Sequence, residues 1–207
     1  MMDRAFWDQR YRSSAAIWSG RPNPHLVAQV ADLPPSSALD VGCGEGADAV
    51  WLAEHGWRVT AVDISPVALE RAERHAATAG SAVAGRITWQ RADLTDTEPA
   101  HETYDLVSAQ FLHLPTAQRV ALYRRLAAAV APGGTLLIVS HSPRDLDTTL
   151  RRPQQPEMFP TAAELAASLD PRTWTVLVSA AEPHQALDPD GRAVTAHDEI
   201  LRAQRRP

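Results

Sequence analysis

The 207-residue sequence predicts one α/β domain, a doubly wound, mostly parallel sheet of seven strands closed by an antiparallel hairpin. Three observations predict it. Short apolar runs alternate with helical segments at the spacing of βαβ units. The first run, ALDVG, is contiguous in its apolar residues, as a strand buried on both faces must be. The last two runs, WTVLVSAAE and RAVTAHDEILRAQ, have no helix between them, only the turn-forming DPDG.

The elements follow in order. An aromatic N-terminal segment leads through the turn-rich SGRPNP to a short helix, HLVAQVADL, which PPSS breaks. ALDVG is the first strand. EGADAVWLAEHG is a helix that Gly56 can end in a left-handed cap. WRVTAVD is the second strand, and SPVALERAERHAATAG the next helix, with Ser65 as N-cap, Pro66 in the first turn and Gly80 at the end. GRITWQRAD and YDLVSAQF are strands three and four. PTAQRVALYRRLAAAV is a helix stopped by Ala-Pro-Gly-Gly, and GTLLIVS is strand five. RRPQQPEMFP reads as a loop, TAAELAASL as a short helix, and the hairpin completes the sheet.

Composition limits what such a domain can do. All 20 basic residues are arginine, which excludes a Schiff-base or phosphate-loop lysine in this chain. A formal net charge of −5 argues against a nucleic-acid partner. The single cysteine, Cys43, rules out an internal disulfide and a cysteine-based zinc site, and it reads as a small packing residue. Further expectations are no metal, no membrane partner, a cytoplasmic location, and a monomer or homodimer; the N-terminal MMDRAFWDQRYRSS has no apolar core of the kind a signal peptide needs.

Function should lie in LDVGCGEGADA, residues 39–49, where strand one turns into a helix. Ligands of open parallel sheets bind beyond the carboxyl ends of the strands, where strand order reverses. Gly42, Gly44 and Gly46 would let the backbone come close to a ligand there. The same glycines would also serve a bare strand-to-helix turn. Asp63 ends strand two, 21 residues after Gly42, where a carboxylate can accept both hydroxyls of a ribose. The loop and its acid thus point to a nucleoside-like ligand.

LDVGCGEGADAVWLAEHGWRVTAVDIS resembles the first two motifs of the class I S-adenosylmethionine-dependent methyltransferases. Asp40, Gly42, Gly44, Gly46 and Asp63 match that pattern position by position, with Ile64 beside the ribose acid. RADLTD resembles the family's adenine-side segment, which implies that Asp93 meets the adenine amino group and that Leu94 offers a backbone N–H. YDLVSAQFLHL resembles the fourth-strand motif, which implies that its end, Gln110, approaches the methionine part of the cofactor. The resemblance implies S-adenosylmethionine as cofactor, S-adenosylhomocysteine as product and a small-molecule methyl acceptor. It also implies a division into an N-terminal lid, residues 1–36, and a methyltransferase domain, residues 37–207. In the lid, Arg12 or Tyr11 would reach the cofactor carboxylate and Trp18 would cover the pocket; the same aromatics would equally serve to anchor an N-terminal helix on the sheet.

The tail, EPHQALDPDGRAVTAHDEILRAQRR, resembles the final hairpin of tellurite-resistance methyltransferases, with His184 at the histidine of a His-Arg pair and Gln185 in place of the arginine. His184 and His113, the latter on the rim after strand four, are the expected catalytic residues. The acceptor class implied is a thiol, a selenium or tellurium oxyanion, or a small metabolite. Two other functions fit parts of the sequence. An NAD-dependent oxidoreductase is favoured by the looser glycine register Gly42, Gly44, Ala47, and a non-catalytic protein could retain the S-adenosylmethionine pocket.

Overall fold

The computed structural model describes residues 3–207. Seven strands form one sheet: β1 (Ser37–Val41), β2 (Arg58–Asp63), β3 (Ile87–Arg91), β4 (Tyr104–Gln110), β5 (Val130–His141), β6 (Trp174–Leu187) and β7 (Ala193–Arg205). Their order is β3-β2-β1-β4-β5-β7-β6. Strands β1 to β5 run parallel, and β7 enters antiparallel between β5 and β6. The expected topology is therefore present, and its switch point lies between β1 and β4.

Helices cover both faces: α1 (Arg4–Arg12), α2 (Pro24–Val30), α3 (Ala47–Glu54), α4 (Pro66–Thr78), α5 (Ser81–Ala84), α6 (Thr116–Ala129) and α7 (Ala162–Ala167). Alternation along the central strands feeds two cores. Leu39, Val107, Leu136 and Ile138 meet Leu122 and Leu126 of α6 on one face. Leu106, Leu137, Val139 and Ile200 meet Leu26, Val50 and Leu52 of α2 and α3 on the other. A strand buried on both sides must be apolar at every position, which is why ALDVG carries no period of two.

The punctuation is where the residue types place it. The Ser65 hydroxyl accepts the Ala68 N–H at the start of α4. Thr161 and Glu164 form a reciprocal capping box on α7. At the hairpin, Asp188 accepts the N–H groups of Asp190 and Arg192, and Gly191 turns with φ +78°.

Three segments differ from expectation. Strand β5 begins at Val130, not after the glycines, because Val130 pairs with Tyr104 before the register shifts and Thr135 resumes against Leu106. Strand β6 runs past WTVLVSAAE to Leu187, since Pro183–Leu187 continues the pairing with Ala193–His197. Pro183 is tolerated there because β6 is an edge strand. The N-terminal aromatic segment contains a regular helix, α1, capped by Asp3, whose carboxylate accepts the Phe6 N–H at 3.0 Å.

Candidate functional site

A cleft of about 920 Å³ opens across the carboxyl ends of the five parallel strands, lined by Val41, Asp63, Asp93, Gln110 and His141 among others. That size lies near the top of the roughly 300–1,000 Å³ range of small-molecule sites.

The glycine loop forms one end. Gly42 and Gly44 line the cleft, and Gly44 takes φ +54°. A Cβ on Gly44 would lie 3.1 Å from the Tyr11 hydroxyl and 3.2 Å from the Trp18 indole nitrogen, so glycine is what lets the N-terminal segment close on the loop. Gly46 departs from expectation. It turns left-handed at φ +82° to start α3, and a Cβ there would stand 2.8 Å from Ala72 and from Trp89, away from the cleft lining. Its role is a tight turn and close packing rather than ligand contact.

Asp63 sits at the tip of β2, 7% exposed, and lines the cleft. Its carboxylate accepts the Gly44 N–H at 2.9 Å and the Ser65 N–H at 2.8 Å, one on each oxygen. A carboxylate has about four acceptor positions, so two remain for a ligand diol. Burial raises its pKa above the ordinary carboxylate range, against the pull of the Ser65, Gly44 and Ile64 amides. Ile64 lines the cleft beside it.

Asp40 lies beneath the loop and not on the cleft wall, which corrects its expected direct contact with ligand. One carboxylate oxygen is buried with no partner among the described residues. Burial, then the charges of Asp48 and Asp63, push its pKa well above normal. Asp48, one turn into α3, lines the cleft, accepts the Asn23 N–H at 2.6 Å and is pushed by burial to about 6. Asp48 and Asp63 on the cleft wall and the buried Asp40 beneath the loop therefore gather three carboxylates at this end of the cleft. Cys43 lies among them, and burial with these acids raises its thiol well above normal, leaving it an inert packing group as expected.

The adenine-side expectations fall on the lining as well. Asp93 accepts the N–H and hydroxyl of Thr95 at 2.9 and 2.6 Å through one oxygen, leaving the other unengaged among the described residues. Leu94 is buried at the wall, its carbonyl held by Arg125 at 3.1 Å. Gln110 ends β4, donates to Ser108 at 2.8 Å and accepts from the Asn23 amide at 2.9 Å.

The N-terminal segment folds over the loop through contacts that sequence did not signal. Glu45 accepts the N–H groups of Ile17 and Trp18 at 3.1 and 3.0 Å and pairs with Arg71 at 2.7 Å. Arg71 in turn donates to the carbonyls of Tyr11 and Ser14. Tyr11 is 3% exposed and accepts from the Trp18 indole N–H at 3.3 Å. Burial and the nearby Asp63 raise its pKa, so its hydroxyl keeps its proton. Arg12 is a correction. It is exposed and does not line the cleft, because the last turn of α1 presents Tyr11 to the loop and Arg12 to solvent; Arg21 lines the cleft instead.

The other end of the cleft is rich in histidine. His113 and His184 both line it, as do His25, His141 and Asp198. His113 stacks on His141 with centroids 5.2 Å apart and meets Phe159 edge-on at 5.3 Å. Its Nε2 is buried with no partner among the described residues. Burial, then His141 and Arg152, lower its pKa to about 4, so at neutral pH it is an uncharged hydrogen-bonding group and a weak base. His184 stands at the mouth, its Nδ1 3.5 Å from Asp198. Phe111, just past β4, holds φ +54°, a left-handed backbone rare for a bulky residue and one that collects at functional sites. Among the described residues no cluster of three or more His, Cys, Asp or Glu side chains could hold a metal ion, and no helix is long and apolar enough to cross a membrane.

Comparison with known proteins agrees with this geometry. Residues 38–134 match a family described as "Methyltransferase domain". An uncharacterised methyltransferase of Mycobacterium tuberculosis is 39% identical over 116 residues, 56% of this chain and 55% of that protein. A trans-aconitate 2-methyltransferase of Rhizobium meliloti is 34% identical over 130 residues, 61% of this chain and 46% of that protein. The chain thus spans about half the length of these curated relatives. A solved structure titled for the conversion of a disulfide bond into a thioacetal group during echinomycin biosynthesis superposes with a TM-score of 0.77 at 26% identity, covering 98% of this chain and 92% of that one. TehB from Haemophilus influenzae shares the fold, with a TM-score of 0.71 at 18% identity over 99% of this chain and 67% of that one. Residues 38–134 are thus similar to a methyltransferase domain, and they lie in the part of the sheet that carries the glycine loop and the strand tips.

Proposed function

We propose that the protein transfers the methyl group of S-adenosylmethionine to a small-molecule acceptor. The observation that carries this is the carboxylate floor under the glycine loop. Buried Asp40 and Asp63 and half-buried Asp48 gather there in a chain with no lysine. An anionic pyrophosphate would meet repulsion there, which speaks against a dinucleotide. A donor with a positive sulfonium and ammonium would favour all three acids in their charged forms. When bound, that donor supplies a methyl group on an excellent leaving group, so the protein's work is chiefly alignment.

The residues divide that work. Asp63 would accept the ribose hydroxyls with the positions its amide partners leave open. Asp93 and Leu94 would meet the adenine edge. Asp48 and Gln110 would face the amino-acid end. Residues 1–36 would act as a lid, with Tyr11 and Trp18 closing over Gly44 and the Glu45–Arg71 pair clamping the Ser14–Trp18 stretch in place. Arg21, not Arg12, would be the lid arginine available to a carboxylate.

The acceptor would bind at the histidine end. A metalloid oxyanion finds no arginine beside His184, since Gln185 is exposed and its amide donates to Thr195. A thiol or another small protic molecule fits that end better. The test is a cofactor-consumption screen over thiols, phenols, N-hydroxy compounds, amines, selenite and tellurite. Turnover with a neutral protic acceptor is the expected result. Turnover with tellurite or selenite would overturn the acceptor assignment. S-adenosylmethionine binding without turnover on any acceptor would favour a non-catalytic role.

A further inference from the structure

Four chain segments converge on one buried carboxylate at the acceptor end. Asp198 on β7 is 4% exposed. His25 of α2 reaches its Oδ2 with Nε2 at 3.1 Å, and His141 of β5 reaches its Oδ1 with Nδ1 at 3.1 Å. His184 of β6 stands 3.5 Å from Oδ2. Burial alone would raise Asp198, but the hydrogen bonds from His141 and His25 and the nearby charges of His141 and His184 hold it well below the ordinary carboxylate range. A permanent negative charge is thus fixed at the centre of three imidazoles.

The three rings are not equivalent. His25 has both nitrogens against carboxylates, Nε2 on Asp198 and Nδ1 3.6 Å from Glu182, so it is fully committed. His184 is 40% exposed and in contact with solvent. His141 lines the cleft, binds Asp198 through Nδ1 and leaves Nε2 without a protein partner among the described residues. Its ring stacks on Phe111 at 4.3 Å and on His113 at 5.2 Å, which fixes its plane. The charged or titratable groups facing it are Asp198 from β7, His113 from the loop after β4, His25 from α2, and His184 and Glu182 from β6. Arg152, beyond His113, is engaged by Asp145 at 3.2 Å.

We propose that His141, its Nδ1 proton held by Asp198, takes the acceptor's proton at Nε2, and that the acceptor is therefore a protic nucleophile such as a thiol, phenol or N-hydroxy compound. A carboxylate that fixes one ring nitrogen as a donor leaves the other as the base. The step rests on the methyl-transfer assignment above and balances without a further reactant. The bond between the acceptor atom and hydrogen breaks, the proton going to Nε2. The freed electron pair forms the new bond to the methyl carbon. The carbon–sulfur bond of the donor breaks, its electrons neutralising the sulfonium. The imidazolium, paired with Asp198, then returns its proton to solvent beside the exposed His184. Asp198 is a positioning residue in this scheme, and His113 is a hydrogen-bonding neighbour of the acceptor.

The experiment is imidazole nitrogen NMR on the full chain with S-adenosylhomocysteine, after calorimetry has shown the complex to form. Failure to form it would remove the methyl-transfer assignment itself and is read separately. In the wild-type complex, neutral His141 should carry its proton on Nδ1. In Asp198→Asn, which removes the carboxylate that accepts the Nδ1 proton, that tautomer preference should be lost. A proton on Nε2 in the wild type, or the same tautomer in both proteins, would overturn the proposal, and the wild-type tautomer decides even if the variant does not fold. On the first acceptor the screen identifies, His141→Gln should lower kcat by about 100-fold with cofactor affinity unchanged, the range of a lost general base. An unchanged kcat would overturn it equally.

Discussion

The two ends of the cleft are built on opposite plans. The donor end is a continuous piece of chain: residues 40–48 supply the loop and two of its acids, and Asp63 follows at the next strand tip. The acceptor end is assembled from His25, His113, His141, His184 and Asp198, which lie on separate segments, His25 and its carboxylate partner being 173 positions apart. The donor end concentrates three acids, Asp40, Asp48 and Asp63, that pair with no cation among the described residues. The acceptor end concentrates imidazole around a single acid. On the proposed function the two ends would answer to different partners, one to a cationic cofactor and one to a neutral molecule that gives up a proton.

Substitutions should separate the two ends by what they disturb. The largest expected effect falls on the fold. Gly46→Ala should cost about 2–4 kcal/mol of stability, because the left-handed backbone and the contacts with Ala72 and Trp89 both oppose a side chain. Chemical denaturation measures it, and an unchanged midpoint would return Gly46 to a purely ligand-facing role. Next is Asp63→Ala, which should weaken S-adenosylmethionine binding by about 1–3 kcal/mol. Calorimetry on the folded variant checks this, and equal affinity would remove Asp63 from the site.

A change of pH should act on cofactor binding through the donor end. Burial raises Asp48 to about 6, so it is protonated below that value and charged above it. A cationic donor prefers the charged form, so affinity should be full at pH 7 and fall about tenfold by pH 5. The same burial works the other way on the unliganded protein. A carboxyl raised in the folded state favours folding at low pH, and that contribution is lost as pH rises through 6. Bound cofactor should therefore raise the melting temperature more at pH 7 than at pH 5. A flat profile in both readouts would separate Asp48 from the cofactor. The smallest effect belongs to the cleft mouth. His184→Ala should lower turnover by roughly three- to tenfold, at the low end of what a proton-transfer group contributes, with S-adenosylmethionine affinity unchanged.

The same contrast decides what can be read from the sequence. The strand order, the hairpin and the caps at Ser65 and Thr161 are local patterns or follow from connection rules, so they are legible. So are Gly42, Gly44, Asp63, Asp93 and Gln110, because the donor loop and the strand tips carry their chemistry in place. Asp40 and Gly46 resemble ligand contacts in sequence because spacing shows that a residue belongs to a turn and not which way it points. Asp48 is within reach, since the first turn of α3 must face the loop. Glu45 and Arg71 lie 26 residues apart with no shared period, and their clamp exists only once α1 and α4 are packed. Asp198 carries no signal at all. It sits in a β7 run that reads as an ordinary amphipathic strand; His141 and His184 reach it only through the order β5-β7-β6, and His25 only once α2 packs on the sheet.

Calorimetric titration of the full chain with S-adenosylmethionine and, separately, with NADH at pH 7 tests the central claim most directly. An acid-floored loop with no lysine near it should bind the sulfonium donor and leave NADH unbound. Binding of NADH with no heat from S-adenosylmethionine would contradict the assignment of the loop, and with it the roles of all the residues around it.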